Sequence, residues 1–290
     1  MTKTIAHWSL VALTLIWGMS FLVLSDGVKV LAPETLLFWR FLVAAVALLI
    51  IVFIKKARLP WKEGFIASIM FSIAYYSQTK GMLYTSPAVA AFITGLLVIF
   101  TPIVEGITYR KMPDLRVWLG SISALFGTYL LVGGEGSAKL IGIILQLTCA
   151  IFFSIHLVYI GSKKELDPAA FVAVQCIFMT AFFASIAGAK GTLVLPSSSL
   201  FEVLYLGLLA TALGLSIQVK AQKMISPSEA SLIFSLEPVF ATIFSALLLH
   251  DTITWRSFLG MLMIFIASLA VDFNCKWQLK NILPRHESGL

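Results

Sequence analysis

Residues 78–100 read QTKGMLYTSPAVAAFITGLLVIF, and residues 218–240 read QVKAQKMISPSEASLIFSLEPVF. Laid over each other at a separation of 140, they agree at Gln78/Gln218, Lys80/Lys220, Ser86/Ser226, Pro87/Pro227, Ala90/Ala230, Ile93/Ile233, Leu96/Leu236 and Phe100/Phe240. Agreement continues at Leu119/Leu259 and Gly120/Gly260. Apolar matches carry little weight in an apolar chain, but an ungapped run that includes Gln, Lys, Ser, Pro and Gly does. Upstream, a separation of 135 brings Trp17 onto Phe152, Pro33 onto Pro168 and Arg40 onto Gln175. The change of separation falls in the loop pair 55–63 and 189–199, where insertions are tolerated. The chain therefore reads as one unit written twice, residues 1–137 and 138–275, with a basic tail over 276–290.

Each unit is a series of membrane spans. The chain of 290 residues is 59% hydrophobic and 12% charged, with mean hydropathy +0.96. An ordinary soluble domain carries about 25% charged residues. No aqueous fold hides this much apolar surface. The expected fold is all-α and membrane-embedded, with ten helices near 8–25, 34–54, 64–82, 87–109, 115–133, 139–161, 168–188, 200–219, 228–249 and 255–273. Proline marks the loops between them, as at Pro33, Pro60, Pro87, Pro113, Pro168 and Pro227. The first apolar run has a weak basic start at Lys3 and no small-x-small cleavage pattern, so it reads as a retained helix. Cys149, Cys176 and Cys275 show no metal-ligand spacing; the first two fall in apolar runs and read as small core residues.

The net charge of +7 is not spread as a nucleic-acid surface would be. Fifteen basic residues fall on one side of the alternating spans: Lys3, Lys55, Lys56, Arg58, Lys62, Arg110, Lys111, Arg116, Lys163, Lys164, Lys220, Lys223, Lys276, Lys280 and Arg285. Five fall on the other: Lys29, Lys80, Lys139, Lys190 and Arg256. The positive-inside rule then places both termini in the cytoplasm and favours an even number of spans. Five spans per repeat is an odd number, so the second repeat enters the membrane upside down. Inverted repeats are how secondary transporters commonly build two interconvertible states around a site at the midplane. A small-molecule carrier is the expectation that this geometry raises.

The residues also resemble the drug/metabolite transporter superfamily, EamA-type permeases. The likeness is carried by Ile16-Trp17-Gly18-Met19-Ser20-Phe21, Arg40, Tyr84-Thr85-Ser86-Pro87-Ala88, Ser235-Leu236-Glu237-Pro238-Val239-Phe240 and the stretch from Trp255 to Gly260. It covers nearly the whole chain. It implies ten helices, multi-pass residence in the bacterial inner (plasma) membrane, cytoplasmic termini, a central cavity, and export or exchange of small metabolites. Two features depart from the family pattern. Where members often carry Gly-Glu at the ends of spans 4 and 9, this chain has Arg110-Lys111 and His250-Asp251, with Asp251 placed to substitute for the acid. Pro102 lies one turn from Val98, the position onto which Pro238 maps.

Candidate site residues are the polar and aromatic ones that the membrane would otherwise exclude. Arg40 lies about 10 Å into span 2, at 1.5 Å per residue from Pro33. It either snorkels to the outer interface or acts as a gate or anion-binding group, paired by the repeat with neutral Gln175. Glu237, in mid-span 9 before Pro238, either binds a cationic substrate group or a coupling proton, or makes a fixed structural hydrogen bond. Glu105, nearer a helix end, is expected to reach the cytoplasmic interface. His156 is a proton relay or a satisfied interhelical hydrogen bond. Gln78 and Gln218 bind a polar substrate or pack between spans. Trp17, Tyr75, Tyr76 and Phe92 could form an aromatic wall for an apolar or cationic body. The small pairs Gly120/Ala124 and Ser123/Gly127 suit close packing within the protein or across a homodimer; monomer and homodimer stay open.

The leading functional expectation is a secondary transporter, exporting or exchanging a small amphipathic metabolite such as an amino acid or another amine-bearing compound. The alternative is an importer or exchanger of an amino-acid-derived cofactor or nucleobase-like metabolite. A membrane enzyme is disfavoured, since no cluster of ionisable residues shares one depth. No phosphate-cradling Gly-rich loop marks a primary pump. The expected partners are a small molecule and the lipid bilayer, with no nucleic acid. No cofactor or metal is expected, and proton coupling stays open.

Overall fold

The computed structural model describes residues 1–85, 87–132, 139–248, 250 and 252–282, with the backbone alone for 87, 88, 132 and 269–282. No β-strand forms among the described residues. The helices are α1 (Lys3–Val30), α2 (Pro33–Lys55), α3 (Trp61–Gly81), α4 (Pro87–Gly95), α5 (Leu97–Tyr109), α6 (Leu115–Val132), α7 (Leu140–Gly161) and α8 (Pro168–Ala189). They continue as α9 (Leu200–Leu204), a π-helical stretch (Tyr205–Leu213), α10 (Gly214–Ala221), α11 (Pro227–Phe234), α12 (Glu237–Leu248) and α13 (Trp255–Ile282). Seven segments are long and apolar enough to cross a membrane: α1, α2, Val89–Tyr109, α7, α8, Ser197–Ala221 and Pro227–Leu248. Leu115–Leu131 and Trp255–Ser268 are shorter apolar helices. α3 is less apolar because it buries Ser68, Ser72, Ser77, Gln78 and Thr79. Outward-facing side chains such as Phe53, Ile107, Leu119 and Phe265 are large and exposed, an exterior suited to hydrocarbon.

Three expectations about the spans need correction. The first helix starts at Lys3 and ends at Val30, well beyond 8–25, because Thr2 caps it by accepting from Ile5 N and only the turn before Pro33 stops it. The fourth and ninth spans are each interrupted. Leu96 separates α4 from α5, while Ser235 and Leu236 separate α11 from α12. Leu96 and Ser235 keep right-handed angles with ψ of −13° and −11°, and i→i−3 bonds from Leu96 N to Ile93 O and from Leu236 N to Ile233 O tighten each turn. Pro238 sharpens the second interruption, having no N–H for the carbonyl of residue 234. The eighth span contains the nine-residue π-helical stretch, which apolar periodicity cannot disclose.

Helices pair across the two halves: α2 with α8, α6 with α13, α3 with α7, and α1 with α10 and α12. The α6–α13 contact is backbone-close. A Cβ on Gly260 would sit 2.5 Å from Gly127 O and 2.6 Å from Leu131 N, and one on Gly127 2.8 Å from Gly260 O. Backbone atoms cannot yield as a side chain can. The small residues of α6 thus serve packing within the chain. Gly260→Ala is expected to destabilise the protein by about 1–3 kcal/mol, a typical cost of overpacking, read as a fall of several degrees in melting temperature.

Polar latches tie both ends of the bundle. At the N-terminal end, Lys3 Nζ meets Glu229 Oε1 at 2.8 Å. There Ser226 and Glu229 form a capping box on α11. Glu105, expected to reach the cytoplasmic interface, accepts at this same end from Ser228 N at 2.9 Å and from the Ser228 hydroxyl, so it also caps α11. At the other end Lys190 Nζ lies 2.6 Å from Glu34 Oε1, Thr35 Oγ1 2.9 Å from Thr192 O, and Trp39 Nε1 donates to Leu193 O at 3.0 Å. The Glu34 hydrogen bond raises the pKa of Lys190 above its ordinary value. With Glu34 ionised, the lysine's share of the pair's stabilisation is therefore complete below the unfolded lysine pKa of about 10.4 and disappears as pH rises through the raised folded value. Melting temperatures of the native chain and Glu34→Gln should differ at pH 9 and converge towards pH 12. A constant gap would assign Glu34 another role.

Candidate functional site

The paired helices line a central cavity, set between helices as small-molecule sites in helical bundles commonly are. Its walls are helical stripes. α1 contributes Trp17, Ser20, Phe21 and Leu24, at positions i, i+3, i+4 and i+7. α3 gives Phe71, Tyr75 and Gln78; α7 gives Phe153, His156 and Leu157. Both interruptions face the cavity, the first through Thr94, Gly95 and Leu97 and the second through Phe234, Ser235, Glu237 and Pro238. Arg40 of α2 and Gln218 of α10 complete the polar lining.

Arg40 is 3% exposed. Its Nε donates to Thr211 Oγ1 at 2.7 Å and its Nη2 to Tyr75 OH at 3.2 Å, while the guanidinium carbon lies 4.4 Å from the Tyr75 ring centroid. These partners are neutral, and Arg40 forms no ion pair among the described residues. A buried cation held by hydroxyls and a ring face is held in place but not neutralised. Snorkelling to the interface is excluded by its burial against the π-helical stretch.

That stretch is the site element hidden from the sequence reading. Thr211 Oγ1 donates to Leu206 O at 2.7 Å, which leaves its oxygen to accept from Arg40. Ala210 O accepts from Trp17 Nε1 at 2.9 Å. Trp17 also packs edge-on against Phe234, with centroids 5.0 Å apart. Tyr205 OH reaches Ile16 O at 2.9 Å. The stretch therefore anchors two cavity residues, as π-helical turns often do at functional sites.

Glu237 is the first residue of α12, where the end of a half-helix favours negative charge. Its carboxylate has no hydrogen-bond or ion-pair partner among the described residues, so the fixed structural bond open to it on sequence grounds is not made there. His156 stacks on Phe71, with centroids 3.7 Å apart and planes 9° apart, and its Nε2 lies 2.7 Å from Gln175 Oε1. Gln175 Nε2 points to Phe171 O at 3.5 Å, which turns its oxygen to the ring and makes His156 Nε2 the donor.

Gln218 donates from Nε2 to Gln222 Oε1 at 3.2 Å, and Gln222 donates from Nε2 to Leu157 O at 2.9 Å. Gln218 Oε1 is buried without a partner among the described residues. Leaving such an acceptor unmade costs about 1–3 kcal/mol. Gln78, by contrast, gives only its backbone oxygen to Gln146 Nε2, at 3.2 Å.

Seven sequence-selected residues thus converge on the cavity: Trp17, Arg40, Tyr75, Gln78, His156, Gln218 and Glu237. Three selected residues lie off its wall. Phe92 turns away, because the cavity stripe of α4 runs through Ala91, Thr94 and Gly95 and Phe92 sits about 100° around the helix from Ala91. Its ring lies 6.2 Å from that of half-exposed Tyr129. Gln175 lies behind the wall as the partner of His156, away from the gate position expected of it. Tyr76 likewise leaves the wall to stack towards Phe183. Asp251 lies outside the described residues. Sequence reasoning missed Ser20, Phe21, Phe71, Thr94 and Phe153; counting i+3, i+4 and i+7 from Trp17 finds the first two.

Comparison with known proteins places this architecture. The model of the EamA-like transporter family matches residues 4–133 and again 140–271. An uncharacterized transporter of Archaeoglobus fulgidus is 30% identical over 92% of this chain and 85% of its own. The uncharacterized transporter YoaV of Bacillus subtilis is 24% identical over 88% and 92%. The uncharacterized inner membrane transporter YedA of Escherichia coli is 26% identical over 91% and 89%. A solved crystal structure superposes with TM-score 0.81 over 95% of this chain and 98% of its own at 14% identity, a likeness of fold alone. Two matches of one family model that together span most of the chain make this membrane-embedded helical protein a member of the EamA-like transporter family.

Proposed function

We propose that the chain is a ten-span secondary transporter that exports or exchanges a small amphipathic metabolite, an amino acid or another amine-bearing compound, by alternating access. The observation that carries this reading is one cavity lined by a cation, Arg40, and an acid, Glu237, with neither neutralised within the described residues and with aromatic walls around them. A zwitterion with an apolar body supplies what each lacks: a carboxylate for Arg40, an ammonium for Glu237, and surface for Phe71, Phe153 and Phe234. Ten spans are supported by adding α3 and the two shorter apolar helices to the seven longer segments. Inverted repeats over 1–137 and 138–275 are supported by the matched interruptions at Leu96 and Leu236. The 15-to-5 basic bias supports cytoplasmic termini in an inner membrane. Glu237 is also the group placed to carry a coupling proton.

The second reading, import or exchange of an amino-acid-derived cofactor or nucleobase-like metabolite, is favoured by the two cavity amides, Gln78 and Gln218. Melting the purified protein with amino acids, amines, polyamines and nucleobases separates the two, since a ligand of the native state raises the transition by mass action. Proteoliposome counterflow then shows carrier behaviour. Stabilisation by nucleobases alone would replace the first reading by the second.

A further inference from the structure

We infer that Gln222, which lies outside the cavity wall, fixes the polarity of Gln218 and so makes this part of the wall select N–H donor groups on the substrate. The inference rests on the central cavity being the substrate site. Its warrant is a hydrogen-bond relay that ends on a backbone carbonyl. Leu157 O can only accept, so the Gln222 amide must turn its NH₂ towards it, 2.9 Å away. Gln222 Oε1 is then obliged to face Gln218, and it takes the Gln218 NH₂ at 3.2 Å. The two orientations of an amide, ordinarily interchangeable, are reduced to one. What remains of Gln218 is its Oε1, an acceptor with no partner among the described residues, on a residue that lines the cavity and is 4% exposed.

The repeat supplies an internal contrast. At the separation of 140 that matches Gln218 to Gln78, Gln222 falls on Met82, which has no group to steer an amide. Gln78 is therefore free to donate or accept, whereas Gln218 presents an acceptor only. Gln78 O meets α7 at Gln146, and the Gln218–Gln222 relay meets the same helix at Leu157, eleven residues or about 16 Å further along, so the two amides are spaced along the cavity. Glu237 attracts any cation. Gln218 adds a requirement that the cation carry hydrogens, because an ion without N–H leaves the acceptor unpaired.

Phenethylamine and phenethyltrimethylammonium separate these effects: both are aromatic cations, and only the first has N–H donors. Thermal stabilisation of the full chain by each gives a ratio of apparent affinities. The native chain should prefer the amine by about tenfold. Gln222→Met should bring the ratio below about threefold. Gln222→Glu should keep it, because a carboxylate still accepts from Gln218 Nε2 and a carboxylic acid can both donate to Leu157 O and accept from Gln218. A purely structural role for Gln222 would not distinguish the two variants in this way. If Gln222→Met lost its melting transition, Gln218→Met, which deletes the acceptor, must show the same collapse. An unchanged ratio in Gln222→Met, or in Gln218→Met where that variant carries the test, would overturn the inference and leave the amine reading standing. Stabilisation of the native chain by neither ion would overturn the amine reading and this inference together.

Discussion

Glu237→Gln should reduce counterflow of amine-bearing substrates by about 10–100-fold while leaving the melting temperature unchanged or raised. The two halves of this expectation come from the same geometry. A hydrogen bond to a charged group is worth about 1.5–3 kcal/mol, and the carboxylate is the acid among the cavity-lining residues. Gln keeps the shape and an acceptor oxygen but gives up the charge. The native carboxylate has no partner among the described residues, so its removal breaks no contact there and relieves a desolvated charge. A residue held for structure would behave the opposite way, melting early and transporting in proportion to folded protein. The role assigned to Glu237 would be lost if Glu237→Gln transported at the native rate at every pH.

Arg40→Met should discriminate between substrates more than it disturbs the fold. Transport of a carboxylate-bearing amine should fall about 100-fold, and transport of its decarboxylated counterpart by no more than a few-fold. Charge-assisted pairs of guanidinium and carboxylate are the strong ones. The hydroxyl partners do not depend on Arg40, since Thr211 keeps its own bond to Leu206 O. Arg40→Lys should not rescue, because an ammonium is a point charge that cannot reproduce the planar fork between Thr211 and Tyr75. Equal losses for both substrates would show that Arg40 supports the cavity without reading the carboxylate.

Much of this site was legible because a membrane makes polar residues conspicuous. Arg40, His156 and Glu237 stand out in apolar runs, and each lines the cavity. The repeat made Gln78 and Gln218 visible as a pair. What stayed hidden depends on rotation and register. Phe92 and Ala91 are equally apolar, and only the facing of α4 decides which one lines the cavity. Gln222 looks like a loop-side polar residue until its amide is seen against Leu157 O. The interruption at Leu96 has no proline to announce it, whereas Pro238 announces its counterpart. The π-helical stretch leaves no composition signal, since Tyr205–Leu213 is as apolar as the regular helices α2 and α8.

That stretch also bears on how finely the two halves are told apart. A π turn is the form a helix takes when it accommodates a surplus residue without a loop. α3, its counterpart in the first half, runs unbroken from Trp61 to Gly81. The surplus turns Ala210 O towards Trp17 and Thr211 towards Arg40, so the rotational phase of one helix fixes both an indole and a guanidinium. The difference between the halves is therefore written partly in the count of residues between two fixed points, a quantity that point substitution cannot alter and a single codon can.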